Sequence, residues 1–184
     1  MKKILLMIAV VMGQSVLAAD EKLIADPIVD KLMRLQNGLK TKGELSKADL
    51  EKVTRLVLGL GGAKITDGSL KGLAKLQQLE WLALDETKIT DACLKEVAKL
   101  QQLEQLNLND TKITDAGLKD VAKLQQLKRL YLSRTQITDA CLPNLAKLQN
   151  LESLVLYYTK ITADGVTELK KALPKCKIYY RAKK

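Results

Sequence analysis

The chain has 184 residues, 47% of them apolar and 28% charged, which is material for one folded unit and little for two. Phe is absent and there is one Trp, so the interior must be layered from Leu, Ile, Val and Ala rather than built around large aromatic rings. His is absent too, which removes the commonest general base and metal ligand, and a balance of 31 basic against 21 acidic residues makes the chain basic, at +10.

The chain starts with a pattern of export. Lys2 and Lys3 precede an apolar stretch from Ile4 to Met12, and Val16-Leu17-Ala18 is a small-residue cleavage pattern. Cleavage near Ala18 would deliver a periplasmic or secreted chain with 29 basic and 21 acidic residues, a balance of +8. The competing reading is an uncleaved anchor, but the stretch falls short of the roughly 18 residues that span a bilayer. No transmembrane anchor is expected in the mature chain. An exported basic protein meets anionic lipids or acidic glycans rather than nucleic acid. Next, Asp26-Pro27 opens a run of Ile28, Leu32, Met33 and Leu35 at helical spacing, and Ser46-Lys47-Ala48-Asp49 has the form of a capping box. Residues 19–52 therefore read as an N-terminal segment and helical cap over the end of a core.

From residue 53 onward the chain repeats. An offset of 24 aligns Leu82-Ala83-Leu84, Leu106-Asn107-Leu108, Leu130-Tyr131-Leu132 and Leu154-Val155-Leu156, with Ile89, Ile113, Ile137 and Ile161 in a further column. Each Leu-x-Leu alternates as a short strand, and the stretch after each Ile-Thr-Asp puts Leu94, Val97 and their equivalents at the spacing of a short amphipathic helix. Asp67, Asp91, Asp115 and Asp139 precede those helices and read as N-caps; in the fifth unit, Thr162-Ala163-Asp164, that cap is displaced or lost. Pro143 should keep the fourth helix short or irregular. Thr87, Thr111, Thr135 and Thr159 form a column whose hydroxyls could reach backbone groups of the next unit.

Leu50, Val53, Leu56 and Leu58 match Leu76, Leu79, Leu82 and Leu84, but Ile65 comes two residues late, which implies a small insertion within 59–62. Ile178 and Tyr180 imply a sixth strand, followed by a basic tail. Residues 53–184 thus hold five repeats of the 24-residue type, a terminal strand and the tail.

The pattern Leu79-x-x-Leu82-x-Leu84-x-x-Thr87-x-Ile89-Thr90-Asp91-Ala92-x-Leu94 resembles the leucine-rich-repeat family over roughly residues 50 to 180. Its Ile-Thr-Asp-Ala/Gly-x-Leu element is similar to the cysteine-containing subclass found in F-box substrate receptors and in exported bacterial repeat proteins. The resemblance implies an α/β fold, a right-handed solenoid with parallel strands on the concave face and short helices on the convex face. It also implies protein binding rather than catalysis. Thr stands where the subclass often has Cys, and no F-box-like segment precedes the repeats, so a ubiquitin-ligase role is not implied.

No residue set offers chemistry. Cys93 and Cys141 share a small-residue column with Ser69, Gly117 and Gly165, two units or about 9.6 Å apart at strand spacing, beyond the roughly 7 Å a disulfide tolerates. With Cys176 in another column, all three read as reduced thiols. Glu80, Glu104 and Glu152 recur in register, and recurrence is the mark of scaffolding, whereas an active site needs a unique constellation. Neither a catalytic residue, a metal site nor a cofactor is expected.

The residues between the leucines behave differently. One concave column reads Arg55, Trp81, Gln105, Arg129, Ser153 and Lys177; a second Val57, Ala83, Asn107, Tyr131, Val155 and Tyr179; a third Gly59, Asp85, Asn109, Ser133, Tyr157 and Arg181. These vary where the core columns do not, and Trp, Tyr and Arg are the residues enriched at binding hot spots. Arg55, Trp81, Asp85, Gln105, Asn107, Asn109, Arg129, Tyr131, Ser153, Tyr157, Lys177 and Tyr179 are the expected contacts for a protein or peptide ligand. Tyr157 and Tyr179 could equally shield the end of the sheet. Lys71, Lys75, Lys95, Lys99, Lys119, Lys123 and Lys147 recur on the helices, where periodic lysines usually form a solvated face; adhesion to an anionic glycan or lipid through the convex face and tail, or a purely structural envelope role, is the alternative.

Overall fold

The computed structural model describes residues 24–40, 42–43, 45–59 and 64–182. The leader, most of the expected insertion and the last two lysines lie outside the described residues.

Helix α1, Pro27–Gln36, begins where Asp26 accepts hydrogen bonds from the Ile28 and Val29 amides, with proline in the first turn where its missing N–H costs nothing. It buries Val29 and Met33 against the first strand. The capping box at Ser46 and Asp49 is formed and starts α2, Lys47–Leu50. Six strands follow: β1, Arg55–Val57; β2, Trp81–Ala83; β3, Gln105–Asn107; β4, Arg129–Tyr131; β5, Ser153–Tyr157; and β6, Lys177–Arg181. They make one parallel sheet in sequence order, and each strand pairs with the next at the 24-residue offset, except the first pair, Leu56 with Leu82. The sheet does not close.

The return segments differ from unit to unit. The first holds only two 3-10 turns, Asp67–Leu70 and Leu73–Lys75. The second forms α3, Asp91–Val97, and the third α4, Leu118–Val121. The fourth holds a 3-10 turn, Asp139–Cys141, running into α5, Leu142–Leu145; the last is α6, Ala163–Ala172. Pro143 sits at the start of α5, which is short and preceded by a 3-10 turn as expected, but α4 is equally short without a proline, so a proline is not required for a short helix. Between sheet and helices, Leu56, Leu82, Leu106, Leu130 and Leu154 stack with the Ile column, all 0% exposed except Ile161 at 3%. A fully buried Leu contributes about 1.5–3 kcal/mol, so a unit with a handful of them cannot offset the ordering of its own chain, and stability comes from stacking.

Two polar columns are wired differently from the sequence expectation. The Asp carboxylates do not cap their own helices. Asp67, Asp91, Asp115 and Asp139 each accept two bonds from the threonine 23 residues on, one from its amide and one from its hydroxyl; for Asp115 and Thr138 both are 2.7 Å. The caps are the threonines: Thr90, Thr138 and Thr162 accept from amides of the first turn. Asp67, Asp91 and Asp139 stand at the first helical position, one residue too late to reach back, and Asp115 stands three residues before its helix; all four are aimed at the neighbouring unit instead. The fifth cap is therefore present, at Thr162. Ala163 stands where the next ladder aspartate would be.

The buried hydroxyls of Thr87, Thr111, Thr135 and Thr159 also stay within their own unit. They donate to the carbonyls of Leu84, Leu108, Leu132 and Leu156, three residues back, rather than to the next unit. That bond closes the turn in which Glu86, Asp110, Arg134 and Tyr158 adopt positive φ, 54 to 57°, a conformation costly for L residues unless the surroundings impose it.

The β1 edge of the sheet is closed by side chains. Gln36 donates to the Val57 carbonyl at 2.8 Å and accepts from the Val57 amide at 2.7 Å, the pairing a strand would supply, and Asn37 donates to the Arg55 carbonyl at 2.8 Å. Nothing in the sequence pattern marks these two amides, because their partners lie 18 to 21 residues away.

Candidate functional site

The register sets the expected concave residues in rows. Arg55, Trp81, Gln105, Arg129, Ser153 and Lys177 are consecutive partners across six strands, and Asn107, Tyr131, Val155 and Tyr179 run beside them. Arg55, Arg129, Tyr157, Lys177 and Tyr179 are exposed, whereas Trp81, Gln105, Asn107, Tyr131 and Ser153 are half-buried. The Arg55 guanidinium lies 3.3 Å above the Trp81 ring centroid, a stacking that pre-orders both groups at one end of the face. Tyr131 lies further along the second row, with Arg129 two residues before it on β4.

The second and third rows are partly committed to structure. Asn107 accepts from the Asn109 amide, and Asn109 accepts from the Ser133 amide at 2.7 Å, so these two side chains fix the backbone beyond the strands. The backbone oxygen of Asp85 lies so close to Gly59 that a Cβ there would sit 2.2 Å from it, which explains glycine at the start of the third row.

Two neighbouring charge lines escape sequence reasoning. At the start of the strands, Lys128 interrupts the glutamate column and binds Glu104 at 2.6 Å. That hydrogen bond, with Glu104, Glu152 and Glu80 around it, holds the Lys128 ammonium above its ordinary pKa. In the turns, Arg134 reaches Asp110 at 3.5 Å and lies 5.5 Å from the Tyr158 ring. The signal for both was a column in which residue sign changes from unit to unit.

A leucine-rich repeat region matches residues 46–175, most of the chain. The protein belongs to the leucine-rich-repeat family. Its fold is similar to that of an internalin from Listeria monocytogenes, at 21% identity and a TM-score of 0.65, over 88% of this chain and 52% of that one. It is also similar to the leucine-rich-repeat ectodomain of the receptor kinase SOBIR1 from Arabidopsis thaliana, at 20% identity and a TM-score of 0.51, over 71% of this chain and 70% of that one. The chain spans about half the length of the internalin. No curated protein matches its sequence. Leucine-rich-repeat proteins generally serve as protein-binding scaffolds, and that is the class of activity the fold brings.

Within this leucine-rich-repeat protein two of the three thiols are buried parts of the stack. Cys93, Cys141 and Cys176 are free, the first two buried. The column shared by Cys93 and Cys141 is small because it lies under the preceding unit's aspartate: a Cβ on Gly117 would come within 2.3 Å of Asp91 Oδ1. Burial, reinforced by the Asp67 and Asp115 carboxylates, raises the Cys93 thiol well above its ordinary value and pushes Cys141 up to about 12. Burial alone takes Cys176 to about 11. A thiol harder to ionise in the folded state contributes stability that is whole below its unfolded pKa and is lost as pH rises through the folded one. Between pH 9 and 12 each buried thiol should therefore remove about 1.4 kcal/mol per pH unit. Urea unfolding of Cys141→Ala across that range should show a shallower alkaline decline than wild type, and equal slopes would refute the assignment.

Among the described residues no group of three His, Cys, Asp or Glu side chains could hold a metal ion, and no helix is long and apolar enough to cross a membrane.

Proposed function

We propose that the protein is an exported scaffold that binds a protein or peptide ligand on its concave strand face, through Arg55, Trp81, Arg129 and Tyr131. The observation that carries this reading is the contrast between invariant core columns and a varied strand face whose aromatic and arginine side chains are held in rows by the register. The stacked Arg55–Trp81 pair loses little freedom on binding, and Trp, Tyr and Arg are the residues enriched at interface hot spots. Export is supported by the charged, apolar and small-residue succession of the first 18 residues.

The test is cross-linking in the exporting cell with a Trp81→Ala plus Tyr131→Ala control. Both side chains lie on the face opposite the leucine columns, so the variant should fold. Losing two hot-spot residues, at about 2 kcal/mol each, should cut ligand capture by a factor of several hundred or more. Unchanged capture by the folded variant would sink the proposal.

The convex face supports a second reading, because Lys71, Lys75, Lys95, Lys99, Lys119, Lys123 and Lys147 are all exposed. Two of them are already paired, Lys99 with Glu96 and Lys123 with Asp120. Adhesion to an anionic polymer through this face requires retention on such a polymer that weakens with salt.

A further inference from the structure

The two edges of the sheet are treated differently. At β1 the backbone groups of Val57 and Arg55 are satisfied by Gln36 and Asn37. At the other end β6 is the last strand, paired on one side only among the described residues. Lys177 donates its amide to Glu152, and Arg181 accepts from Tyr158, so residues 177, 179 and 181 turn their backbone toward β5. In a parallel ladder the alternate residues face the other way, which leaves the N–H and C=O groups of Ile178 and Tyr180 directed at the open edge.

That edge is five residues long, against three in β1 to β4, and it carries charged residues, Lys177 and Arg181, of the kind that discourage indiscriminate pairing at natural sheet edges. Ala163 stands at the ladder position where an aspartate elsewhere receives the following unit's threonine, so this edge lacks the acceptor that joins the other units. The charge points to the occupant. Lys177 and Arg181 are exposed on the concave side of β6 with exposed Tyr179 between them, and Lys175 precedes the strand. A second copy pairing antiparallel about Tyr179 would bring Lys177 opposite Arg181 twice, a like-charge arrangement that opposes self-association. An extended strand with carboxylates four residues apart and an apolar residue between them meets all three side chains.

We propose that the β6 edge is a docking site for an extended acidic peptide segment, which adds to the sheet as a seventh strand through the backbone groups of Ile178 and Tyr180. The main chain supplies affinity, and Lys177 and Arg181 select for acidic side chains. This surface is separate from the row centred on Trp81, Arg129 and Tyr131.

The test uses the full chain and a blocked seven-residue peptide, acetyl-Thr-Glu-Thr-Val-Thr-Glu-Thr-amide, followed by amide hydrogen exchange and chemical shifts. Binding should protect the Ile178 and Tyr180 amides and leave the helices unperturbed. Lys177→Glu with Arg181→Glu should weaken binding about tenfold, since two favourable cross-strand pairs become repulsive. N-methylation of alternate peptide residues should abolish binding, because it removes backbone donors while keeping the charge. Trp81→Ala plus Tyr131→Ala should leave the affinity unchanged. The proposal is overturned if the N-methylated peptide binds as well as its parent, if no amide of β6 is protected, or if the protein alone dimerises through β6.

Discussion

Asp115→Ala should lower the unfolding free energy by about 2–4 kcal/mol, read as a fall in the urea midpoint, although it removes no apolar contact. The carboxylate accepts from both the amide and the hydroxyl of Thr138, each at 2.7 Å, and it is only half-exposed. Hydrogen bonds to a charged acceptor contribute about 1.5–3 kcal/mol each, and the deletion leaves a backbone N–H without its partner between two stacked units. Because each unit touches only its neighbours, the damage concentrates at the junction of the third and fourth units. Thr138→Ala should overlap with Asp115→Ala in a double-mutant cycle; strict additivity would mean that the two groups do not interact. Ala163→Asp is the internal control. It places the same residue where no threonine among the described residues receives it, and stability should change by less than about 0.5 kcal/mol, as for an ordinary surface substitution.

Arg34→Ala should cost a similar amount, about 2–4 kcal/mol, by a different route. The side chain is 8% exposed, and its Nε contacts both oxygens of Asp30 at 2.9 and 3.0 Å. Its two terminal nitrogens donate to the carbonyls of Lys40, at 2.6 Å, and Gly43, at 2.8 Å. One planar guanidinium thus joins the body of α1 to the segment that follows it, and its loss strands two carbonyls and a carboxylate. Lysine cannot replace it, since a single ammonium does not reach three acceptors in the plane of a fork. Arg34→Lys should therefore behave nearly like Arg34→Ala in thermal unfolding, with faster proteolytic cleavage between residues 38 and 46. A lysine variant of wild-type stability would show that charge alone is required. The consequence extends to the sheet, because Gln36 and Asn37, which close the β1 edge, stand on the same helix end.

The repeat was legible because a solenoid imposes one environment on every equivalent position, so Leu82, Leu106, Leu130 and Leu154 had to be alike and the register followed from the offset. The concave rows were readable for the same reason: alternation along a strand fixes which face a residue takes. What those rows bind was not readable, since varied surface residues carry no periodic constraint. Asp91 shows a different limit. Its place before a helix suits a cap, yet Thr90 caps and Asp91 serves the next unit.

By itself the sequence determined the leucine-rich-repeat architecture, the number of strands and their parallel register, because period, apolar alternation and turn spacing are local quantities written along the chain. Tertiary structure alone decided where the polar groups go. The Asp-to-Thr ladder and the Gln36 clasp on β1 depend on which backbone groups end up without a partner after stacking. A hydrogen bond between residues 20 or more apart is chosen by distance in space, and sequence spacing does not encode that distance until the stack exists.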